Sequence, residues 1–488
     1  MTSVRRALAL SFTERYVLVA IALFSNILIA RLLTPEQIGL YSVSLAVIGI
    51  AQVLRDFGIG NFLIQQKNLS QAHIRTAFSV SLLIGGGLFV IVYLTAPFAG
   101  SFYGDNRMVQ TLRISILNFL VLPFCTISLA LLRRNMAFNQ LIIVNVIAAV
   151  TNSSTSVGLA YLDFGPNSMA IGAVVGNIAT GISAWIVRSD RRLLWPELSE
   201  WRALLSFGGQ SSLAGIVTSI SMSTNDLVVG KVLGFYPVAI LSRAQGLMNL
   251  FHQEVMSAVR GVALPAFAAA YRTDADLETQ HIRSIAMITV VAWPFYGMIA
   301  IYSLEVLRLL FGSQWDAASP LVPIFCLAGA ISSLSSLIST LLVATGRIDL
   351  VTRAEVLLQP ARFLLIAAAA FLFRSVAACA LAYLIMSMIA VPLFYKFKAK
   401  AIPNDLFMLS RNLLSSALVT LAALFFPFLY VSFIGPLRSE PISLLSLSAM
   451  VFITLIVWTI SIILFKHPLA EEPWFRRLDL AWESLKLS

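Results

Sequence analysis

Apolar residues in this chain gather into long runs of about twenty, with few strand-like alternations between them. A helix needs about 20 apolar residues to cross some 30 Å of hydrocarbon, so the pattern predicts an all-α, polytopic membrane protein. Fourteen runs qualify: 16–33, 38–63, 77–99, 110–132, 140–162, 167–187, 203–229, 237–265, 284–304, 318–345, 354–373, 375–395, 412–434 and 442–465. Pro123, Pro294, Pro323 and Pro360 fall within these runs, where a missing backbone donor kinks a helix. The Gly85-Gly86-Gly87 run and the Gly172/Gly176 pair have the small-residue pattern of close helix packing.

The polar positions inside the runs are few and clustered. Arg55, Asp56, Asp226, Arg243, Glu254, Arg260 and Arg362 are the charges expected within the bilayer, where each is costly unless it faces protein or water. On the eighth run, Ser242, Gln245, Asn249, His252, Gln253 and Arg260 fall within a sector of about 100° on a regular helix. That stripe extends about 27 Å at 1.5 Å per residue, nearly the hydrocarbon thickness. Arg243 and Glu254 share an adjoining face. The seventh run gathers Ser212, Ser219, Ser223 and Asp226 on one side, and the second groups Gln52, Arg55 and Asp56. Helices with such faces line a wet cavity rather than lipid. Each group also has a plainer reading: Arg55 and Asp56 snorkelling to an interface, Arg243 with Glu254 as a structural pair, and His252 as a packed, hydrogen-bonded ring.

The chain also repeats itself. Lys231-Val232-Leu233, then Val238, Ile240 and Ser242, repeat Arg31-Leu32-Leu33, then Ile38, Leu40 and Ser42, at an offset of 200 residues. His281-Ile282-Arg283 repeats His73-Ile74-Arg75, and Gly312 repeats Gly104, at an offset of 208. Two nearby registers in the same order mark a duplicated unit. On this offset Asp226 corresponds to Asn26. Six spans per copy give parallel repeats, two lobes around a central cavity. The expected organisation is a first lobe over 1–190, a second over 191–400, and two extra transmembrane helices with a cytoplasmic tail over 401–488.

Composition agrees: 59% of residues are hydrophobic, 12% are charged, and mean hydropathy is +0.87. The net charge of +11 is mainly topological. With the N-terminus inside, 23 of the 34 Lys and Arg fall in cytoplasmic segments, 7 outside and 4 within spans, which places both termini in the cytoplasm. No basic patch with interleaved aromatics points to nucleic acid. Cys125, Cys326 and Cys379 sit within apolar runs, against a disulfide framework or a Cys metal site. Arg5 and Arg6 precede the first run as in a signal peptide, but no small-residue cleavage pattern follows, so that run reads as an uncleaved helix.

The stretch Ala30-Arg31-Leu32-Leu33-Thr34-Pro35-Glu36-Gln37-Ile38-Gly39-Leu40-Tyr41-Ser42, followed by Arg55-Asp56-Phe57-Gly58-Ile59-Gly60, resembles the polysaccharide transporters of the multidrug/oligosaccharidyl-lipid/polysaccharide exporter superfamily. The resemblance covers essentially the whole chain. It implies a flippase, not an enzyme, for lipid-linked oligosaccharide repeat units in exopolysaccharide or lipopolysaccharide assembly at the bacterial inner membrane. It also implies a cationic cavity lined by spans 1, 2, 7 and 8. The substrate-binding residues expected there are Arg55, Arg243 and Arg260 for the diphosphate, with Gln245, Asn249, Gln253, Ser223 and Asn26 for the sugar. Asp226, Glu254, His252 and Asp56 are candidates for coupling to H⁺ or Na⁺, and no organic cofactor or metal is expected. The partners implied are the lipid-linked oligosaccharide, membrane lipid, a polysaccharide polymerase and co-exporter proteins. Two alternatives stay open: a drug/cation antiporter of the same superfamily, and a membrane glycosyltransferase or polymerase. The second would need a sizeable extracytoplasmic domain, which the short outside loops do not provide.

Overall fold

A computed structural model describes residues 2–56, 58–188, 195–199, 201–202, 204, 226–434, 443–472 and 475, with 2–14, 50, 53, 56 and 434 described by backbone alone. The described residues form helices and their connections, with no strand among them. By contacts the chain divides into two compact units, Met1–Ala239 and Ile240–Ser488.

The first unit contains α1 (Thr2–Leu32), α2 (Pro35–Asp56), α3 (Ile59–Gln65), α4 (Gln71–Tyr103), α5 (Arg107–Ser115), α6 (Asn118–Arg134), α7 (Phe138–Tyr161) and α8 (Asn167–Val187). α7 packs on α8 and α1, and α6 on α4 and α8. The α7–α8 approach requires glycine: a Cβ on Gly172 would run into the Ser156 hydroxyl, and one on Gly176 into Asn152. Of the Gly85-Gly86-Gly87 run, only Gly85 meets a close neighbour among the described residues, the Phe119 backbone.

The second unit begins with α9 (Phe235–Asn249, whose first turns belong to the first unit), a π-helix (Leu250–Val255) and α10 (Met256–Arg272). It continues through α11 (Leu277–Ile301), α12 (Ser303–Phe311), a 3₁₀ segment (Ser313–Leu321), α13 (Val322–Ser333) and α14 (Ile338–Ala344). α15 (Ile348–Phe373), α16 (Val376–Lys398), α17 (Leu406–Ile434) and α18 (Leu444–Leu464) complete it. α11 is central, packing on α13 and α17, while α16 packs on α13 and α15.

Eleven helical stretches among the described residues are long and apolar enough to span a membrane. Of the fourteen expected runs, the second, seventh and eighth are not among these eleven. Most of the seventh run, including Ser212, Ser219 and Ser223, lies outside the described residues. The second includes positions described by backbone alone, and the eighth carries too much polarity. Gly58, at φ 63°, breaks the second run between α2 and α3, and the π-helix interrupts the eighth. The tenth run is among the eleven, although turns at 334–337 interrupt its helix. Pro123, Pro294 and Pro360 do lie inside helices. Pro323 instead occupies the first turn of α13, where its missing N–H costs nothing.

The duplicated His-Ile-Arg motif opens α4 and α11, and its arginine performs similar work twice. Arg75 pairs with Glu197, 3.6 Å away, in the segment after α8, and the Glu197 backbone N–H donates to Ser79 Oγ at 2.7 Å. Arg283 pairs with Glu471 at 3.1 Å and Glu472 at 3.6 Å in the segment after α18. The two histidines have diverged. His73 closes a capping box with Ser70 at the start of α4, whereas His281 is fully buried with neither ring nitrogen hydrogen-bonded.

Candidate functional site

The richest set of polar side chains on a long helix runs along α9, the π-helix and α10. An α-helix advances 100° per residue, and a π-turn advances less, so the six residues Leu250–Val255 set the following helix back by about 100°, one residue's worth. The uniform sector expected from the sequence is therefore redistributed. Arg260 swings from above Ser242 toward the side of His252, while Glu254 turns toward Ser242 and Gln253. Arg362, on α15, stacks at 5.3 Å over the Tyr383 ring of α16, and its Nε has no hydrogen-bond partner. Gln245, Asn249 and His252 are half-buried, and Ser242, Gln253 and Glu254 are exposed.

Arg243 sits differently. Its guanidinium carbon lies 4.3 Å from the Phe311 ring centroid and 4.3 Å from that of Trp315. Those two rings are 6.5 Å apart and inclined at 66°, so they form an aromatic corner. A cation there is attracted by the negative ring faces, by about 0.5–2 kcal/mol depending on desolvation. The elements on either side of the corner are braced: Arg308 on α12 holds Asp316 of the 3₁₀ segment through both carboxylate oxygens, at 2.6–3.1 Å. Arg308 and Asp316 lie beyond the apolar runs, and this contact raises the Arg308 pKa.

The remaining candidates belong to the first unit. Arg55 is buried, at 7% exposed. Asn26 is exposed and Asp226 half-buried. The Asp56 side chain and all of Ser223 lie outside the described residues. The structure thus gives Arg243 an aromatic seat and sets Arg362 over the Tyr383 ring. Arg362 stands out in the sequence as an intramembrane charge, yet nothing there ties it to Tyr383. Phe311 and Trp315 carry no sequence signal beyond their position around the repeated Gly312.

Among the described residues no group of three His, Cys, Asp or Glu is placed to hold a metal ion. Two apolar cavities of about 450 and 420 Å³ lie along α11, beside Trp293 and Tyr296 and beside Phe295 and Trp458, and contain none of the polar residues above.

A multi-pass helical membrane protein with arginine and amide side chains spread along one long, π-interrupted helical stretch is the class these features define. The model of the family described as "Polysaccharide biosynthesis protein" matches residues 28–320, more than half of the chain, and the chain belongs to that family. It is 23% identical over 340 residues to the lipopolysaccharide biosynthesis protein WzxC of Escherichia coli K12, covering 68% of each chain. It is 23% identical over 313 residues to the teichuronic acid biosynthesis protein TuaB of Bacillus subtilis, covering 62% of each. It is 26% identical over 312 residues to the succinoglycan biosynthesis transport protein ExoT of Rhizobium meliloti, again covering 62% of each. In fold it resembles the lipid II flippase MurJ in an inward closed conformation, with a TM-score of 0.73 and 15% identity over 94% of this chain and 98% of that one. It also resembles an inward-facing multidrug resistance MATE transporter, with a TM-score of 0.60 and 16% identity over 78% and 93%.

Proposed function

We propose that this protein translocates a polyprenyl-diphosphate-linked oligosaccharide repeat unit across the bacterial inner membrane by alternating access, for exopolysaccharide or lipopolysaccharide biosynthesis. The observation that carries the reading is the series of arginine and amide side chains along α9, the π-helix and α10 in a chain of the polysaccharide biosynthesis family. A diphosphate headgroup cannot cross hydrocarbon unpaired. Arg243 and Arg260, with Arg55, offer it charge-assisted donors, while Gln245, Asn249, Gln253, Ser223 and Asn26 offer the amides and hydroxyls that sugars bind. The prenyl chain stays in lipid, and only the headgroup passes. The lobes over 1–190 and 191–400 rock about the site, with both termini cytoplasmic. Asp226, Glu254, His252 and Asp56 are the groups through which H⁺ or Na⁺ would drive the cycle. The family match favours this reading over a drug antiporter, whose fold is also similar.

The test is polymer export from cells that depend on this chain. Arg243→Ala and Arg260→Ala are each expected to abolish export at unchanged protein level. Lysine at either position should rescue only in part, because an ammonium keeps the charge without the bidentate fork. Normal export by both alanine variants at wild-type abundance would refute the diphosphate-binding role.

A further inference from the structure

We infer that Phe311 and Trp315 are positioning residues that set the Arg243 guanidinium in place for the diphosphate of the cargo, an inference that rests on Arg243 meeting that group. Arginine is long and rotamer-rich, so a guanidinium fixed before the ligand arrives binds it without the ordering cost. The corner supplies that fixation through the ring faces, which attract the cation and hold its plane.

The corner is built rather than incidental. Trp315 is fully buried and Phe311 is 6% exposed, so neither ring is free to swing away. Between them Gly312, at φ 97°, lets the chain turn from α12 into the 3₁₀ segment, a backbone conformation that side-chain-bearing residues avoid. The Arg308–Asp316 bridge locks the two elements together, and the Ser303 and Ser319 hydroxyls join them a second time at 2.8 Å.

The duplication sharpens the point. At the offset of 208, Phe311 corresponds to Tyr103 and Trp315 to Arg107, and at the offset of 200, Arg243 corresponds to Val43. In the first copy these positions serve the backbone and surface. Tyr103 packs on Phe235 at 6.2 Å and donates to the Leu227 carbonyl at 3.2 Å. Arg107 clamps Asp105 and Glu36, both at 2.6 Å. At these positions the second copy, and not the first, combines an arginine on the helix with rings to seat it, as a group specialised for a ligand would be.

The experiment is a double-mutant cycle on the purified full-length chain in lipid nanodiscs, with farnesyl diphosphate as the probe. Trp315→Leu should weaken binding about tenfold in the wild-type background and change it little in the Arg243→Gln background. Trp315→Phe, which keeps a ring, should retain most of the affinity. An equal loss from Trp315→Leu in both backgrounds would show the tryptophan acting independently of Arg243 and overturn the inference. So would no loss from Trp315→Leu while Arg243→Gln alone abolishes binding, an outcome that leaves the diphosphate role of Arg243 standing. Wild-type affinity in Arg243→Gln itself would instead overturn that role, and the positioning role with it. If Trp315→Leu does not accumulate as folded protein, the same cycle is run with Phe311→Leu and read the same way.

Discussion

Lys398 shows how far a single residue can depart from its sequence reading. As one of a run of cations after an apolar stretch it counts toward the cytoplasmic positive charge, yet its side chain is fully buried. Its ammonium bonds the Glu278 carboxylate, and it reaches Asn404 Oδ1 at 2.9 Å. The other Glu278 oxygen accepts from the Asp405 backbone N–H at 3.0 Å. The cluster therefore ties the start of α11 to the end of α16 and the entry to α17. A buried pair is far more sensitive to losing one partner than to losing both, because the survivor is left charged without solvent. Glu278→Gln should accordingly destabilise the detergent-solubilised protein by about 3–5 kcal/mol, read as a fall in thermal midpoint. Lys398→Met combined with Glu278→Leu should recover most of it. A double variant no more stable than Glu278→Gln would contradict this account of the cluster. Each of these charges was visible in the sequence, but partners 120 positions apart were not recognisable as a pair, because only the fold brings them together.

Among the elements, apolar runs were legible wherever a helix is uniformly apolar, since one physical requirement, length, fixes them. What the runs hid are the local breaks. The π-helix at Leu250–Val255 follows from no residue that a propensity would flag, and it alters which side chains share a face. Gly58, by contrast, lies within the Arg55–Gly60 stretch of the family resemblance and forms the turn between α2 and α3. The segment after α18 is a further element whose role lies in packing: Leu469, Ala470 and Phe475 gather on Val290, Val419 and Ile462. His467, just beyond the last apolar run, anchors it. Its Nε2 meets Ser416 Oγ at 3.0 Å, that hydroxyl meets Thr289 Oγ1 at 3.0 Å, and its Nδ1 accepts from the Leu469 N–H at 3.1 Å. Burial pushes the His467 pKa from 6.5 down to about 4. Unfolded chain therefore takes up the proton first, so the stability that His467 contributes is full above pH 6.5 and declines as pH falls toward 4. Thermal midpoints between pH 7 and 4.5 should fall less steeply for His467→Gln than for wild type. Parallel curves would contradict the assignment.

For the whole molecule, the duplication was the most informative sequence feature, because a repeat constrains every element at once. The His-Ile-Arg motif opens α4 and α11 as the offset requires, and Gly104 and Gly312 both adopt positive φ after their helices. The eleven apolar helices and the likeness to the MurJ and MATE folds place the chain among multi-pass membrane proteins. What the repeat conceals is divergence. The second copy holds Arg243, Arg260 and the aromatic corner, and the first holds the buried Arg55, so the chemistry is unevenly divided between copies that share a plan. The central claim is that this chain carries a diphosphate-linked sugar headgroup from one leaflet to the other. The measurement that tests it most directly is reconstitution of the purified protein into vesicles containing a fluorescent polyprenyl-diphosphate oligosaccharide, followed by quenching with a membrane-impermeant reagent. The account requires wild-type vesicles to expose the inner-leaflet pool to the quencher, while Arg260→Ala vesicles and protein-free vesicles protect it. Equal protection in wild-type and protein-free vesicles, in the presence of an imposed H⁺ or Na⁺ gradient, would contradict it.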